Sequence, residues 1–271
     1  MKILIVFGTR PEAIKLVSLI FELKRQSCCE VRVCVTAQHR EMLDQVLKIF
    51  DIKPDYDLNL MRPGQDLTDI TSKVLLGMRN VLQEWRPDWI VVQGDTNTTF
   101  SASLAGFYEK IYIAHIEAGL RTGNIFLPWP EEMNRRLTSS LSSLHFAPTS
   151  WAKQNLLDEN VSEDKIYVTG NTVVDTLLMI VEEIDSDKTL QNAMKDEFAY
   201  LDPKKQTILV TGHRRENFGD SFSNICHSLK ELSQRDNLQI VYPVHLNPNI
   251  AKPAKLILGE IDNIHLIDPL D

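Results

Sequence analysis

The chain has 271 residues, 43% of them hydrophobic and 24% charged, an ordinary globular composition with enough length to bury a core without disulfide or metal staples. Its 29 Lys and Arg stand against 37 Asp and Glu for a net charge of −8, the reverse of what a phosphate-backbone binder carries, so nucleic acid is not an expected partner. No stretch reaches the ~20 apolar residues that a bilayer crossing needs, and no membrane association is expected.

The first short apolar run, Lys2–Phe7, leads into Thr9-Arg10-Pro11 with no small-residue cleavage site, and is too short for a signal sequence. Further strands are expected over 31–36, 89–93, 111–116, 144–147, 166–169, 207–211, 239–244 and 264–267. Most are continuous Ile/Val/Leu runs, the pattern of strands covered on both faces. Between them lie helical periodicities, the clearest from Asp66 to Trp85, with Leu67, Ile70, Val74, Leu75, Met78, Val81 and Leu82 at three- and four-residue spacings. Strand-helix alternation predicts an α/β chain with parallel sheets and right-handed crossovers. Polar breaks at 185–188 and 201–205 interrupt the rhythm, and Thr207–Gly212 restarts it much as residues 2–8 began it. The expectation is two Rossmann-like units, 1–170 and 171–271, with a hinge over about 170–205. The second holds about two and a half strand-helix units, fewer than the five or six strands of a doubly wound sheet. Cys28 and Cys29 are adjacent, Cys34 and Cys226 stand apart, and no C-x-x-C occurs, which predicts reduced thiols and a cytoplasmic protein.

In open parallel sheets ligands bind beyond the carboxyl ends of the strands. The successive strand ends carry Gly8-Thr9-Arg10-Pro11-Glu12, Gln38-His39-Arg40, Gly94-Asp95-Thr96, Glu117-Ala118-Gly119-Leu120-Arg121 and Gly212-His213-Arg214-Arg215. Carboxylates, cations and a histidine therefore gather along one edge, as an anionic ligand and acid/base chemistry would require. Each residue also has a plainer reading. Gly8 and Pro11 suit a strand-helix turn with proline at the first helical position, leaving Arg10 to project. Lys15 reads as a solvated lysine, and Asp95 before Thr-Asn-Thr-Thr as a helix N-cap. Glu131 and Glu132 precede Arg135 and Arg136 by four residues, the spacing of salt bridges on a surface helix. His213 is either a loop histidine or, beside two arginines, part of a phosphate pocket. Asn171 reads as a helix cap only. No G-x-G-x-x-G, G-x-x-x-x-G-K-[ST] or G-x-S-x-G is present, and His39 and His245 lack metal-type spacing, so neither a bound dinucleotide nor a metal is expected.

Taken together, Gly8-Thr9-Arg10-Pro11-Glu12-Ala13-Ile14-Lys15, Gln38-His39-Arg40-Glu41-Met42-Leu43, Gly94-Asp95-Thr96, His115-Ile116-Glu117-Ala118-Gly119-Leu120-Arg121, Pro128-Trp129-Pro130-Glu131-Glu132, Thr169-Gly170-Asn171-Thr172 and Gly212-His213-Arg214-Arg215-Glu216 resemble the motifs of the non-hydrolysing UDP-N-acetylglucosamine 2-epimerases, in order and at family spacing. The resemblance implies two Rossmann-like domains facing a cleft, a glycosyltransferase-B-like architecture, a homodimer, a UDP-sugar substrate and no cofactor. It implies inversion at C2 of UDP-N-acetylglucosamine to UDP-N-acetylmannosamine, through loss of UDP to a 2-acetamidoglucal and its re-addition, supplying bacterial surface polysaccharide. By motif match Asp95, Glu117 and Glu131 are the proton-transfer carboxylates, Lys15 the charge that organises them, and His213 the residue steadying the UDP phosphates. Arg10 and Arg135 are substrate contacts, and Gln38, His39 and Arg40 lie in the loop that holds an activating second sugar nucleotide in some members. Gln93 stands where some relatives carry histidine, and Leu127 where a small polar residue is frequent. The carboxyl-terminal part of the family pattern is absent, which reads the second domain as incomplete. The alternatives are a hydrolysing 2-epimerase, a glycosyltransferase, and a non-catalytic remnant that binds nucleotide weakly.

Overall fold

The computed structural model describes residues 1–37, 40–60, 62, 64–211, 220–245 and 247–270, with the backbone alone of Glu41 and Asp220. The chain divides into two compact units, Met1–Glu183 and Ile184–Asp271.

The first unit alternates strand and helix. In order these are β1 (Lys2–Phe7), α1 (Arg10–Arg25), β2 (Glu30–Val35), α2 (Arg40–Ile49), β3 (Tyr56–Asp57), α3 (Leu67–Glu84) and β4 (Trp89–Gln93). Then come α4 (Asn97–Tyr108), β5 (Tyr112–Ile116), α5 (Glu131–Leu141), β6 (Leu144–Ala147), α6 (Ser150–Asp158), β7 (Ile166–Val168) and α7 (Thr172–Ser186). The strands form one seven-stranded sheet in the order β3-β2-β1-β4-β5-β6-β7, and every pairing is parallel. β1 shows why the apolar runs are continuous. Successive strand side chains point to opposite faces, so Ile3, Ile5 and Phe7 enter one core cluster while Leu4 and Val6 enter another. Each such fully buried side chain contributes about 1.5–3 kcal/mol.

The expected helix from Asp66 to Trp85 forms with those two residues as its caps, the Asp66 side chain accepting from the Asp69 amide at 2.8 Å. Its buried stripe is Val74, Met78, Val81 and Leu82. β3 has no apolar run to announce it. It pairs Tyr56 and Asp57 with Cys34 and Val35, and Asp55 prepares the entry by accepting from the Val33 amide at 2.8 Å. The start of α7 belongs to the first unit, where buried Thr176 donates from Oγ1 to the Ile14 carbonyl at 2.7 Å.

The second unit contains α8 (Lys188–Glu197), β8 (Gln206–Leu209), α9 (Asp220–Leu232), β9 (Leu238–Pro243), α10 (Pro248–Leu258) and β10 (Ile264–Ile267). Its parallel sheet has the order β10-β9-β8, and Phe222, Cys226, Ile240, Tyr242, Ile250 and Leu258 fill its core. Among the described residues, no helix is long and apolar enough to cross a membrane.

Candidate active site

The first sheet reverses its strand order between β1 and β4. Loops leaving neighbouring strands there diverge to opposite faces and open a crevice at the carboxyl ends. Three of those ends, after β1, β4 and β5, build the site.

After β1 the chain turns through Gly8 and Thr9 into α1, which starts at Arg10, one residue earlier than a proline-first helix would; Pro11 lies within its first turn. Glu12 is buried, and one carboxylate oxygen accepts from the Gly8 amide (3.1 Å), the Thr9 amide (2.8 Å) and the Thr9 hydroxyl (2.7 Å). Its other oxygen accepts from the hydroxyls of Thr96 (2.7 Å) and Thr99 (3.1 Å), across the crevice. Burial pushes the Glu12 carboxyl above its ordinary range, and the hydrogen bonds from Thr96, Thr9, Gly8 and Thr99 pull it part of the way back. Lys15 follows one turn along the same helix.

After β4, Gly94 takes φ 73°, a conformation suited to glycine. The cap of α4 is Thr96, which accepts from the Thr99 amide at 3.1 Å, so the reading of Asp95 as the N-cap is corrected. Asp95 instead meets the Arg135 guanidinium, Nε at 2.8 Å and Nη2 at 2.6 Å. Its carbonyl accepts from Asn134 Nδ2 at 2.9 Å. The turn is also held from below by His115, whose Nε2 lies 2.7 Å from the Gly94 carbonyl. Complete burial lowers the His115 imidazole to about 3, so it is neutral and its Nε2–H donates.

After β5, Glu117 sits at φ 63°. One oxygen accepts from Lys15 Nζ at 2.5 Å and from Gln93 Nε2, and the other from Asn171 Nδ2 at 2.9 Å. Lys15 is therefore not a solvated lysine. Asn171 does cap locally, accepting from the Val173 amide at 3.1 Å, but it also fixes Glu117, which a cap-only reading misses.

On α5 the expected pairs of four-residue spacing resolve unequally. Glu132 is wholly buried rather than on a surface, and takes Arg135 at 3.3 Å and Arg136 at 3.5 Å. Burial opposes its ionisation, but the amides of Thr122 and Gly123 and the Arg121 and Arg135 guanidiniums outweigh that and hold its carboxyl below the usual range. Glu131 stands at the first position of α5, one turn before Arg135 and on the same face. Its Oε2 is buried and without a partner among the described residues.

Lys15, Asp95, Glu117 and Arg135 line one cavity of about 340 Å³, with Thr9, Glu12, Gln93 and Thr96 also in its wall. Arg10, half-buried at the start of α1, and Glu131 are not in that lining. Arg40 is engaged with Asp44 and Asp57. Gln38, His39 and His213 lie outside the described residues. A second cavity of about 420 Å³ is walled by Ile3, Leu19, Trp89, Leu144 and Phe146 among others, and among the described residues no acidic or basic side chain lines it. Glu12, His115 and Asn171 were not foreseen as site residues; the Thr9-x-x-Glu12 spacing of a capping box was the available signal for the first.

A family model described as UDP-N-acetylglucosamine 2-epimerase matches residues 21–271. The UDP-N-acetylglucosamine 2-epimerase of Yersinia pestis is 56% identical over 272 residues, covering 100% of this chain and 72% of that protein. That of Escherichia coli O157:H7 is 54% identical over 270 residues, 99% of this chain and 72% of its own length. The crystal structure of UDP-GlcNAc 2-epimerase from Neisseria meningitidis, bound to UDP-GlcNAc, superposes with a TM-score of 0.91 at 51% identity, covering 100% of this chain and 73% of that one. A matching family model, relatives alike over nearly the whole chain and a shared glycosyltransferase-B-like fold agree: this chain is an enzyme of the UDP-N-acetylglucosamine 2-epimerase family.

Proposed function

We propose that the chain interconverts UDP-N-acetylglucosamine and UDP-N-acetylmannosamine by eliminating UDP and adding it back. The C2 hydrogen is not adjacent to a carbonyl, so direct deprotonation gives no stabilised carbanion. Elimination avoids the difficulty. As a carboxylate takes the C2 proton, the C1–O bond breaks, UDP leaves with that electron pair, and a C1=C2 double bond forms. Re-addition returns UDP to C1 and a proton to the opposite face of C2. No net oxidation occurs.

The observation that carries this reading is the pairing of two carboxylates from different loops with separate cations in one cavity: Glu117 with Lys15, and Asp95 with Arg135. Two acids on different sides of a sugar ring serve its two faces, and each is held by its partners before substrate arrives. Glu131, with an unsatisfied buried oxygen one turn from Arg135, is the third acid of the set. Arg10 contacts the nucleotide, and His213 steadies the departing diphosphate, a role that rests on its motif. Gln38, His39 and Arg40 form the loop for an activating second sugar nucleotide. The reading also makes the protein a cytoplasmic homodimer that supplies surface-polysaccharide synthesis, with a domain edge near residue 170 and UDP held by residues 171–271.

Running the reaction in heavy water tests the chemistry. Deuterium is expected at C2 of both UDP-sugars. Epimerisation that retains the original C2 hydrogen overturns the elimination, and release of free N-acetylmannosamine in place of the UDP-sugar identifies the hydrolysing reaction.

A further inference from the structure

The β1–β4 ladder ends where Ile5 meets Val91. Beyond it the loop carrying Thr9 and α1 and the loop carrying Asp95 diverge, as strands do at a reversal of sheet order. Yet the chemistry needs them in register, since α1 brings Lys15 to Glu117 while the other loop presents Asp95. Among the described residues, one side chain hydrogen-bonds to both loops. Glu12 accepts from Gly8 and Thr9 on its own loop and from Thr96 and Thr99 on the other.

The donors around Glu12 are unequal. On one oxygen two of the three are backbone amides, which cannot reverse. On the other both are threonine hydroxyls, and Thr96 Oγ1 already accepts from the Thr99 amide. Among the described residues no cation lies within ion-pair distance of Glu12. The charged groups sharing its cavity are Lys15 from α1, Asp95 after β4, Glu117 after β5 and Arg135 from α5. A carboxylate is thus kept in the wall of the site with hydrogen bonds alone to compensate it. That costs stability, and the cost has a use if the bracket sets the spacing of the reacting groups.

We infer that Glu12 is the positioning residue of this site: as a carboxylate it clamps the Asp95 loop to the Lys15 helix and places a fixed negative charge behind the proton-transfer acids. The inference rests on the elimination reading above. The amide of Glu12→Gln must face the hydroxyl side, because the Gly8 and Thr9 amides still demand an acceptor. The Thr96 and Thr99 hydroxyls must then turn from donating to accepting, so the clamp on the Asp95 loop loses its charge and both charge-assisted hydrogen bonds, while the start of α1 stays tied.

The test compares the unmodified chain with Glu12→Gln for deuterium incorporation at C2 of UDP-N-acetylglucosamine across pH, with thermal melting alongside. For Glu12→Gln, kcat falls about 10- to 100-fold, the scale of a small misplacement of reacting groups, while KM stays within about twofold. The acidic limb of kcat moves to lower pH, because a negative charge has left the site. Thr99→Val keeps the carboxylate but removes one hydroxyl from it, together with that hydroxyl's 2.7 Å hydrogen bond to the Gln93 carbonyl. It lowers kcat about tenfold and, because the negative charge stays, leaves the acidic limb in place, which supplies the reading if Glu12→Gln does not fold. An unchanged kcat in a folded Glu12→Gln, or a loss explained wholly by lower melting with the same pH profile, overturns the inference. If the unmodified chain places no deuterium at C2, it is the reaction, not the bracket, that fails.

Discussion

Glu117 occupies a left-handed conformation that costs a non-glycine residue about 1–3 kcal/mol, and side chains from α1, β4 and Asn171, just before α7, hold it there. These partners differ in what their loss should do. Lys15→Met leaves a part-buried carboxylate without its cation, and kcat for C2 exchange is expected to fall at least about 100-fold, since removing one member of a charge pair costs several kcal/mol. Asn171→Ala removes one neutral donor, and about tenfold is expected from a single hydrogen bond to a charged group. Steady-state exchange kinetics on the two variants checks the ranking. This scale was the least legible in the sequence. Lys15 meets a carboxylate 102 residues away, and nothing in the helix around it marks so distant a partner. Asp95 could be taken for a cap because Asp and Thr are both good caps, and only the folded turn shows that Thr96 does the capping. The family resemblance named these residues and set Lys15 among the carboxylates, but not which of them it meets nor that Arg135 meets Asp95.

At the level of elements, the loop after β5 depends on one glycine. Gly119 takes φ 87°, and a Cβ there would stand 2.2 Å from the Ala152 carbonyl oxygen in α6. That neighbour is backbone, fixed between the sheet and its helix, so Gly119→Ala meets both backbone strain and overlap. A loss of about 3 kcal/mol or more is expected, read as a lower urea midpoint with an unchanged slope. Elements themselves were easy to read wherever burial imposed a period. α3 and every strand of both sheets except β3 appear within a residue or two of their expected bounds. β3 was invisible because a two-residue pairing at a sheet edge needs no apolar run; the Asp55 hydrogen bond leads into it, and Tyr56 is the residue of the pair that packs against the core.

For the whole molecule, the central sheet makes stability depend on pH. His115 and His145 sit opposite each other in β5 and β6, both buried, with burial holding their imidazoles down to about 3 and about 4. The fold keeps them neutral, whereas the unfolded chain protonates them near the ordinary 6.5. Their contribution is therefore complete above about pH 6.5 and is lost as pH falls from there toward 4. At pH 5 each costs roughly 2 kcal/mol, because a shift of one unit is worth 1.36 kcal/mol. Glu132, held below its ordinary range, adds in the same direction at lower pH; Glu12, raised above it, opposes. Urea unfolding at pH 7.5 and pH 5 should show the drop, and His145→Gln should remove about half of the histidine part. Alternation of strand and helix made the parallel architecture legible at this scale, while the reversal of strand order that creates the crevice left no mark on the sequence.

That reversal also governs how the protein is made. β1 can be zipped to β2 once residue 35 has emerged, but its other edge must wait for Trp89–Val91. At ~5–20 residues per second, this interior strand of the future sheet is left paired on one edge only for about 3–11 s on the ribosome. Its free amides and carbonyls are then open to any passing strand, so synthesis of this chain is most vulnerable while α2, β3 and α3 are being translated.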